Sequence, residues 1–449
     1  MNIHFISIGG SVMHQLAIAL KRKGYTITGS DDEIFEPART NLEKEGILPG
    51  VIGWKPELLT PSLDAVILGM HAKSDNPELL RAKELNLPIY SFPEYIFKES
   101  MNKRRVVIGG SHGKTTTTAM IMHVLKQAAV NFDYLVGARL NGFEQSVKIT
   151  DAPLIVCEAD EYPASTLEKR PKFHFLFPHI AVITGIAWDH INVFPTFNFY
   201  LEQFVIFIDK IEENGILIYN ESDPVLQKLV HDHHRQNISY LPYTLPEHLI
   251  EDGITSVKIG SEKTALAVFG DHNLLNLQAA YLVCKELGLD DVIFAASIAG
   301  FTGASKRLEL IAKGNSCNVY RDFAHAPSKV QASINAVRQQ FPKRKLVAVL
   351  ELHTFSSLNA DFMKEYKQSM DQADEAIVFY SSHALELKRM KPLNPEKIKE
   401  GFEKPDIKVI TERKDLEAIL ISQKVENTNF LFMSSGNYDG MDILKTIKF

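Results

Sequence analysis

The segment Gly110-Ser111-His112-Gly113-Lys114-Thr115-Thr116 lies between an apolar run (Val106, Val107, Ile108) and a stretch with helical periodicity (Ala119, Met120, Met122, Val124, Leu125). Strand, tight glycine turn, Lys-Thr, helix is the order of a phosphate-binding loop, and it commits this part of the chain to an α/β arrangement. Backbone amides and the positive end of the helix face an anion, and the lysine adds a mobile charge. The hydroxyl of Thr115 is placed to ligate a Mg²⁺ that travels with a nucleotide. The loop is the short form, G-x-x-G-K-T, because Ile108 stands where the longer pattern has glycine. A Gly-Lys-Thr triplet alone fits a plain helix start equally well, so the rest of the chain decides between the two.

The next buried strand is expected at residues 154–157 and ends in Glu158-Ala159-Asp160-Glu161. A carboxylate at the end of an apolar strand, in the same domain as a G-K-T loop, is the second half of a nucleotide-metal site. Glu158 follows four apolar residues directly and is the candidate; Asp160 also reads as a solvated strand end. A third strand at 180–184 leads to Trp188-Asp189-His190, where His190 is either a structural histidine or part of the polar wall around metal and phosphates.

Before the loop, strand and helix alternate. Residues 3–8 form a strand, Gly9-Gly10-Ser11 a turn, residues 12–20 an amphipathic helix, and residues 25–28 a second strand closing on Gly29-Ser30-Asp31. This βαβ unit places an acid about 20 positions after the glycine turn, as a dinucleotide fold does. The fingerprint is degraded: Ser7 and Val12 occupy two of the glycine positions, so a generic βα turn outweighs nicotinamide binding. Another strand at 64–68 runs into a polar loop containing His71, and the basic stretch 98–105 suits an interdomain linker.

At 449 residues the chain exceeds one core and implies several domains. A net charge of −6 argues against nucleic acid or an anionic membrane as the main partner. Three widely spaced cysteines read as reduced thiols, and no apolar run reaches the length of a membrane span. With no leader-like N-terminus, a cytoplasmic protein is expected.

In the second half, Gly270-Asp271-His272-Asn273-Leu274-Leu275-Asn276 opens a helix with Asn273 and Asn276 on one side of its first turn. Two amides there either read a purine edge or cap the helix. Arg307 has no evident local partner. A third α/β region follows: strand 319–323, then Ala324-His325-Ala326-Pro327 opening helix 328–340, and strands at 346–350, 376–379 and 429–433. Ligands of open α/β sheets sit at the carboxyl ends of strands, which singles out Asp322, His325, His353 and residues 434–437.

Taken in order, these motifs resemble the Mur ligases: the N-terminal βαβ unit with G-S-D, G-S-H-G-K-T-T-T, E-A-D-E, D-H, G-x-H-N-x-x-N, K-R-L-E and D-F-A-H-x-P, over nearly the whole chain. The resemblance implies a three-domain α/β protein. Its parts are a Rossmann-like domain (1–103) for a UDP-sugar, a P-loop ATPase-like central domain (104–312) and a Rossmann-like C-terminal domain (313–449). It implies an ATP- and Mg²⁺-dependent ligase that phosphorylates the carboxylate of UDP-N-acetylmuramate and lets an amine displace the phosphate. Gly9, Gly10, Ser30, Asp31 and His71 would bind the UDP-sugar. Gly110 to Thr116, His272, Asn273, Asn276, Arg307 and Asp322 would bind ATP, and His325 would orient the amine. Lys114, Glu158 and His190 would be catalytic, with Thr115, Glu158 and His190 at the metals. Domain closure and a monomer or weak homodimer are expected.

Two branches of the family share this N-terminal type, one adding L-alanine and one adding a recycled tripeptide, L-Ala-γ-D-Glu-meso-diaminopimelate. Glu161-Tyr162 with Lys169-Arg170-Pro171-Lys172-Phe173, Gly29-Ser30-Asp31 with Phe35-Glu36-Pro37, and residues 433–440 are similar to the tripeptide branch. Arg321 and Ala326 depart from the family's D-D-[FY]-x-H-H-P. Rival classes are a nicotinamide oxidoreductase, which leaves the G-K-T loop unexplained, and a regulatory P-loop protein that turns over ATP without a UDP-sugar. A folate polyglutamate ligase would leave the first domain without a task.

Overall fold

The computed structural model describes every residue except 71, 189–192, 389, 391, 392, 448 and 449. The chain divides into two compact units, one of residues 1–188, 193–244 and 278–290, the other of 245–277 and 291–449.

The first unit holds two sheets. Four parallel strands run in the order Thr26–Ser30, Asn2–Ile6, Ala65–Leu68, Ile89–Ser91. Ile3, Phe5 and Ile6, like all of Ala65–Leu68, are buried, which is why these strands read as apolar runs rather than alternating ones. The second sheet has seven strands, ordered Ser239–Tyr243, Ile216–Asn220, Ile180–Ile183, Arg104–Gly109, Leu154–Glu158, Asp133–Leu135 and Val147–Lys148. All pair in parallel except the last. Arg104–Gly109 lies in its interior, so the helix Lys114–Gln127 that follows is buried on nearly every side.

The charged stretch 98–105 joins the last helix of the first sheet to the second sheet, but it is short and structured. Helix Phe92–Ser100 ends there and strand Arg104–Gly109 begins after three intervening residues, and both Lys103 and Arg105 are buried. Their charges are spent internally. Lys103 Nζ donates to Asp133 Oδ2 at 2.8 Å and to the carbonyls of Thr150 and Ala152; Arg105 donates to Glu212 Oε1 at 2.6 Å. Asp133 also accepts from the amide and hydroxyl of Thr150.

The second unit holds an antiparallel meander, His248–Glu251, Ile254–Ile259 and Glu262–Leu266, and a six-stranded sheet. The latter is ordered Glu309–Lys313, Cys317–Asp322, Thr428–Met433, Lys345–Glu351, Glu375–Phe379, Lys408–Ile410, and only its first strand is antiparallel. This sheet already begins at Glu309, ahead of residue 313. Pro327 starts helix Pro327–Gln340, where its missing N–H costs nothing. The three cysteines are free and buried. No helix among the described residues is long and apolar enough to cross a membrane.

Asp133→Ala would leave Lys103 buried without its counter-ion, a change that typically costs about 3–5 kcal/mol. The expected outcome is a clear fall in the thermal midpoint of the first unit, larger than that of a paired Lys103→Met/Asp133→Val variant. A second check uses pH. Burial pushes His174 down to about 4, against the pull of the Gln203 carbonyl to which its Nε2 donates at 2.8 Å. The unfolded chain takes that proton near pH 6.5, so the stability His174 contributes is full above this value and is lost as pH falls towards 4. His174→Gln should therefore show a shallower decline in melting temperature than the wild type between pH 7 and 4.5.

Candidate functional site

The loop after strand Arg104–Gly109 turns on two glycines. Gly110 (φ +122°) and Gly113 (φ +83°) are left-handed, and a Cβ on Gly110 would meet the Thr184 backbone nitrogen at 2.9 Å. Only glycine fits there. The neighbouring strand end buttresses the loop: Ser111 N donates to Gly185 O at 2.9 Å, Ala187 N to Ser111 Oγ at 2.8 Å, and the Thr184 hydroxyl to His112 O. Ser111, Thr115 and Thr116 are buried.

Parallel pairing sets Glu158 beside Ile108, at the point where the loop begins. Its Oε1 accepts from Thr115 Oγ1 at 2.7 Å and its Oε2 from Gly137 N at 2.8 Å. Lys114 Nζ donates back to Gly110 O and reaches Glu161 Oε2 at 3.2 Å. Burial opposes the charge on Lys114, but Glu161, Asp160 and Glu158 outweigh it, and its pKa stands above the ordinary value. The lysine is thus charged when an anion arrives. A buried relay lies behind it: Ser111 Oγ and Tyr200 OH are 2.7 Å apart, and Tyr200 OH donates to Glu161 Oε1 at 2.9 Å.

Around the loop stand three carboxylates, Glu158, Asp160 and Glu161, against two ammonium groups, Lys114 and Lys172. That excess of negative charge does not suit a bare triphosphate; it suits one accompanied by a divalent cation. Among the described residues no group of three His, Cys, Asp or Glu forms a self-sufficient metal site. A hydroxyl and a carboxylate, Thr115 and Glu158, are a partial set of oxygen donors, as a hard cation completed by phosphates and water requires. His190 lies outside the described residues.

Next to the acids opens a cavity of about 250 Å³. It is lined by the glycine turn and helix start of the first sheet (Ser7, Gly10, Ser11, Val12, Met13) together with Gly137, Glu158, Asp160 and Lys172 from the second. Of the residues expected to hold a UDP-sugar, Gly10 lines this cavity. Gly9 and Asp31 instead bond to each other, Gly9 N donating to Asp31 Oδ2 at 2.7 Å, and burial pushes Asp31 up to about 6. Ser30 is buried and donates to Glu78. His71 lies outside the described residues.

In the second unit, the Asn273 side chain is buried and donates to Phe269 O at 2.9 Å, the helix-start reading of that amide. Asn276 is buried on the same helix. His272 is shifted down by burial, with Asp322 and Asp271 pulling the other way. Asp322 is buried, accepts from the Ser333 hydroxyl, and ends its strand in register with Met433. The Arg307 guanidinium lies 4.8 Å from the centre of the Phe323 ring, so it has a local partner after all. His325 Nδ1 donates to Phe323 O at 2.8 Å.

Residues 2–102 match the Mur ligase family catalytic domain, 108–284 the Mur ligase middle domain, and 306–436 the Mur ligase glutamate ligase domain. The UDP-N-acetylmuramate–L-alanine ligase of Aquifex aeolicus is 33% identical over 377 residues, 81% of each chain. The protein belongs to the Mur ligase family. The UDP-N-acetylmuramate–L-alanyl-γ-D-glutamyl-meso-2,6-diaminoheptandioate ligase of Escherichia coli is 29% identical over 397 residues, 85% of this chain and 86% of that one. The fold is shared with UDP-N-acetylmuramate–alanine ligase from Thermotoga maritima (TM-score 0.69, 22% identity, 98% and 97% of the two chains). This Mur ligase has the family's three-domain α/β architecture and is an ATP-dependent, amide-forming ligase of peptidoglycan synthesis.

Sequence reasoning passed over Gly137, Tyr200 and the cavity-facing position of Lys172. Gly137 and Tyr200 carry no motif signal; the K-R-P-K-F run did signal, but only as a family likeness. Tyr200→Phe removes the hydroxyl that links Ser111 to Glu161, and so loosens the side of the loop that holds Lys114. A buried hydrogen bond of this kind contributes about 1–2.3 kcal/mol, so the KM for ATP should rise about five- to fiftyfold in phosphate-release assays. An unchanged KM would show that the relay does not position the lysine.

Proposed function

We propose that this Mur ligase joins the lactyl carboxylate of UDP-N-acetylmuramate to the amine of L-Ala-γ-D-Glu-meso-diaminopimelate. The observation that carries the reading is the cavity: it is lined by the glycine turn of the first sheet together with Glu158 and Asp160 beside the phosphate loop. A sugar nucleotide seated on the glycine turn presents its far end to these acids, where the γ-phosphate of ATP would lie.

In this reading the amides of residues 110–116 and Lys114 hold the β- and γ-phosphates and neutralise charge as it shifts during transfer. Thr115 and Glu158 would hold Mg²⁺, with His190 at a second metal; the metal when bound screens carboxylate from phosphate. A carboxylate oxygen attacks the γ-phosphorus as the bond to the β-phosphate oxygen breaks, and ADP leaves with the electron pair. The amine nitrogen then attacks the acyl carbon, the bond from that carbon to the phosphate oxygen breaks, and phosphate departs with the electron pair while the nitrogen gives up one proton to solvent or to the departing phosphate. His272, Asn273, Asn276, Arg307 and Asp322 are assigned to the nucleotide from the second unit, Asn273 through the helix start it ties to Phe269 O. His325 is assigned to the amine. The domains are taken as 1–103, 104–312 and 313–449, in a cytoplasmic monomer or weak homodimer.

The tripeptide is supported by the turn 433–440, which is similar to that of the tripeptide branch and stands beside Glu351 and His353. A second reading, with L-alanine as the amine, is favoured by the Aquifex aeolicus relative, which carries that activity in its name. Offering L-alanine, the tripeptide and the tetrapeptide with ATP, Mg²⁺ and UDP-N-acetylmuramate separates them: the expected product comes from the tripeptide, and preference for L-alanine would sink that assignment while leaving the chemistry. Lys114→Ala should abolish ligation while UDP-N-acetylmuramate still binds, measured by calorimetry. Wild-type turnover by that variant would refute the phosphate-loop role.

A further inference from the structure

Lys172 is the one cation that lines the cavity among the described residues, and its surroundings hold it there. The chain leaves the acidic strand end, makes a loop, and returns on itself: Pro163 bridges Pro171, Ala164 N donates to Arg170 O at 2.9 Å, and Lys172 N donates to Tyr162 O at 3.0 Å. Lys172 starts the short helical turn Lys172–Phe175, and the next residue, Phe173, is wholly buried against Phe204 and Phe207. The backbone of Lys172 is thereby pinned on both sides. Its ammonium group rests on Asp160, 3.1 Å from Oδ1 and 3.2 Å from Oδ2, with the side chains 25% and 36% exposed. Among the other lining residues, Ser7 is 1% exposed in a left-handed conformation (φ 67°), and its buried hydroxyl finds no hydrogen-bond partner among the described residues. The cavity therefore offers an arriving anion a partly exposed ion pair open to exchange.

We propose that Lys172 is a positioning and specificity residue: it receives the carboxylate of the acceptor in exchange for Asp160 and so selects a sugar nucleotide that carries one. This deepens, and rests on, the reading of the cavity as the UDP-sugar site. The physical need is plain. An acceptor carboxylate must approach a phosphate past Glu158 and Asp160, which line the cavity, with Glu161 buried nearby, and like charges at short range repel strongly unless a cation intervenes. Lys114 is committed to Gly110 O and Glu161 on the phosphate side. Lys172 stands on the cavity side, and Asp160 is exposed enough to be solvated once displaced. The K-R-P-K-F run thereby acquires a task on the acceptor side of the reaction rather than the amine side.

The test compares wild type, Lys172→Gln and Lys172→Arg by calorimetry with two ligands, UDP-N-acetylmuramate and UDP-N-acetylglucosamine, which lacks the carboxylate. Wild type should prefer the muramate. Lys172→Gln should lose that preference, weakening the muramate by about ten- to a hundredfold, as for a charge-assisted hydrogen bond, while its affinity for the glucosamine compound and its KM for ATP stay within about twofold. Lys172→Arg should restore most of the preference, which a merely structural loss would not. If Lys172→Gln keeps the preference, or weakens both ligands equally, the assignment is overturned and the cation serves the loop or the diphosphate. If wild type binds neither compound, the reading of the cavity itself falls, and the assignment with it.

Discussion

The pairing of strand Leu154–Glu158 with strand Arg104–Gly109 is the constraint on which the site depends. Because the two are parallel and in register from Arg104 with Leu154 to Ile108 with Glu158, the acid and the loop leave the sheet at the same edge. Ala159 N donates to Ile108 O at 3.0 Å and fixes that last step. A slip of one residue would turn Glu158 to the opposite face, away from Thr115. The apolar identity of Val106, Val107, Ile155 and Val156, all wholly buried, is what forbids the slip. Chemistry at the strand ends is thus held in place by hydrophobic burial beneath it.

Local signals in the chain were enough to find the loop, its acid and most of the strands. Glycines with positive φ, an apolar run and a Lys-Thr pair act within a few residues of one another, and their consequences are local too. What escaped was set by contacts over long separations: Tyr200 meets Ser111 across 89 positions, and Glu161 across 39. Nothing in Tyr200's own neighbourhood distinguishes it from the aromatic residues of helix Phe197–Asp209 that serve only the core. The burial of charge within the stretch 98–105 was hidden for a related reason. Charge density looks like solvent exposure until the partners of Lys103 and Arg105, at Asp133 and Glu212, are brought in by the fold.

The first sheet shows why a degraded dinucleotide fingerprint still marks a working turn. Its acid does not wait for a ribose; Asp31 caps the Gly9 amide, and a Cβ on Gly9 would lie 2.9 Å from that carboxylate. Ser30 is likewise consumed by Glu78, which accepts from His4 Nε2 at 3.2 Å as well. These residues brace the turn so that Gly10 and the start of helix Met13–Arg22 face the cavity. The motif's residue types survive, while contact with the cavity has moved to their neighbours.

In the second unit, the two departures from the family pattern have unequal weight. Arg321 faces Glu309 across the antiparallel edge pair, with guanidinium and carboxylate 2.8 Å apart, so the change from an acid is compensated on the neighbouring strand. It does not enter the cluster at the ends of the adjacent parallel strands. Ala326 is different: it precedes Pro327 at the helix start, provides no side-chain cap, and leaves His325 as the imidazole of that turn. The polar groups nearby are largely committed, since Glu351 accepts from the Ser434 hydroxyl and from Tyr438 N at 2.9 Å, and lies 3.8 Å from His353 Nδ1. A Cβ on Gly436 would collide with both Glu351 and His353 at 2.8 Å, so the turn must stay close. Within this turn Ser435 Oγ and His353 Nδ1 are buried without a hydrogen-bond partner among the described residues, so its packing is tighter than its polar bonding.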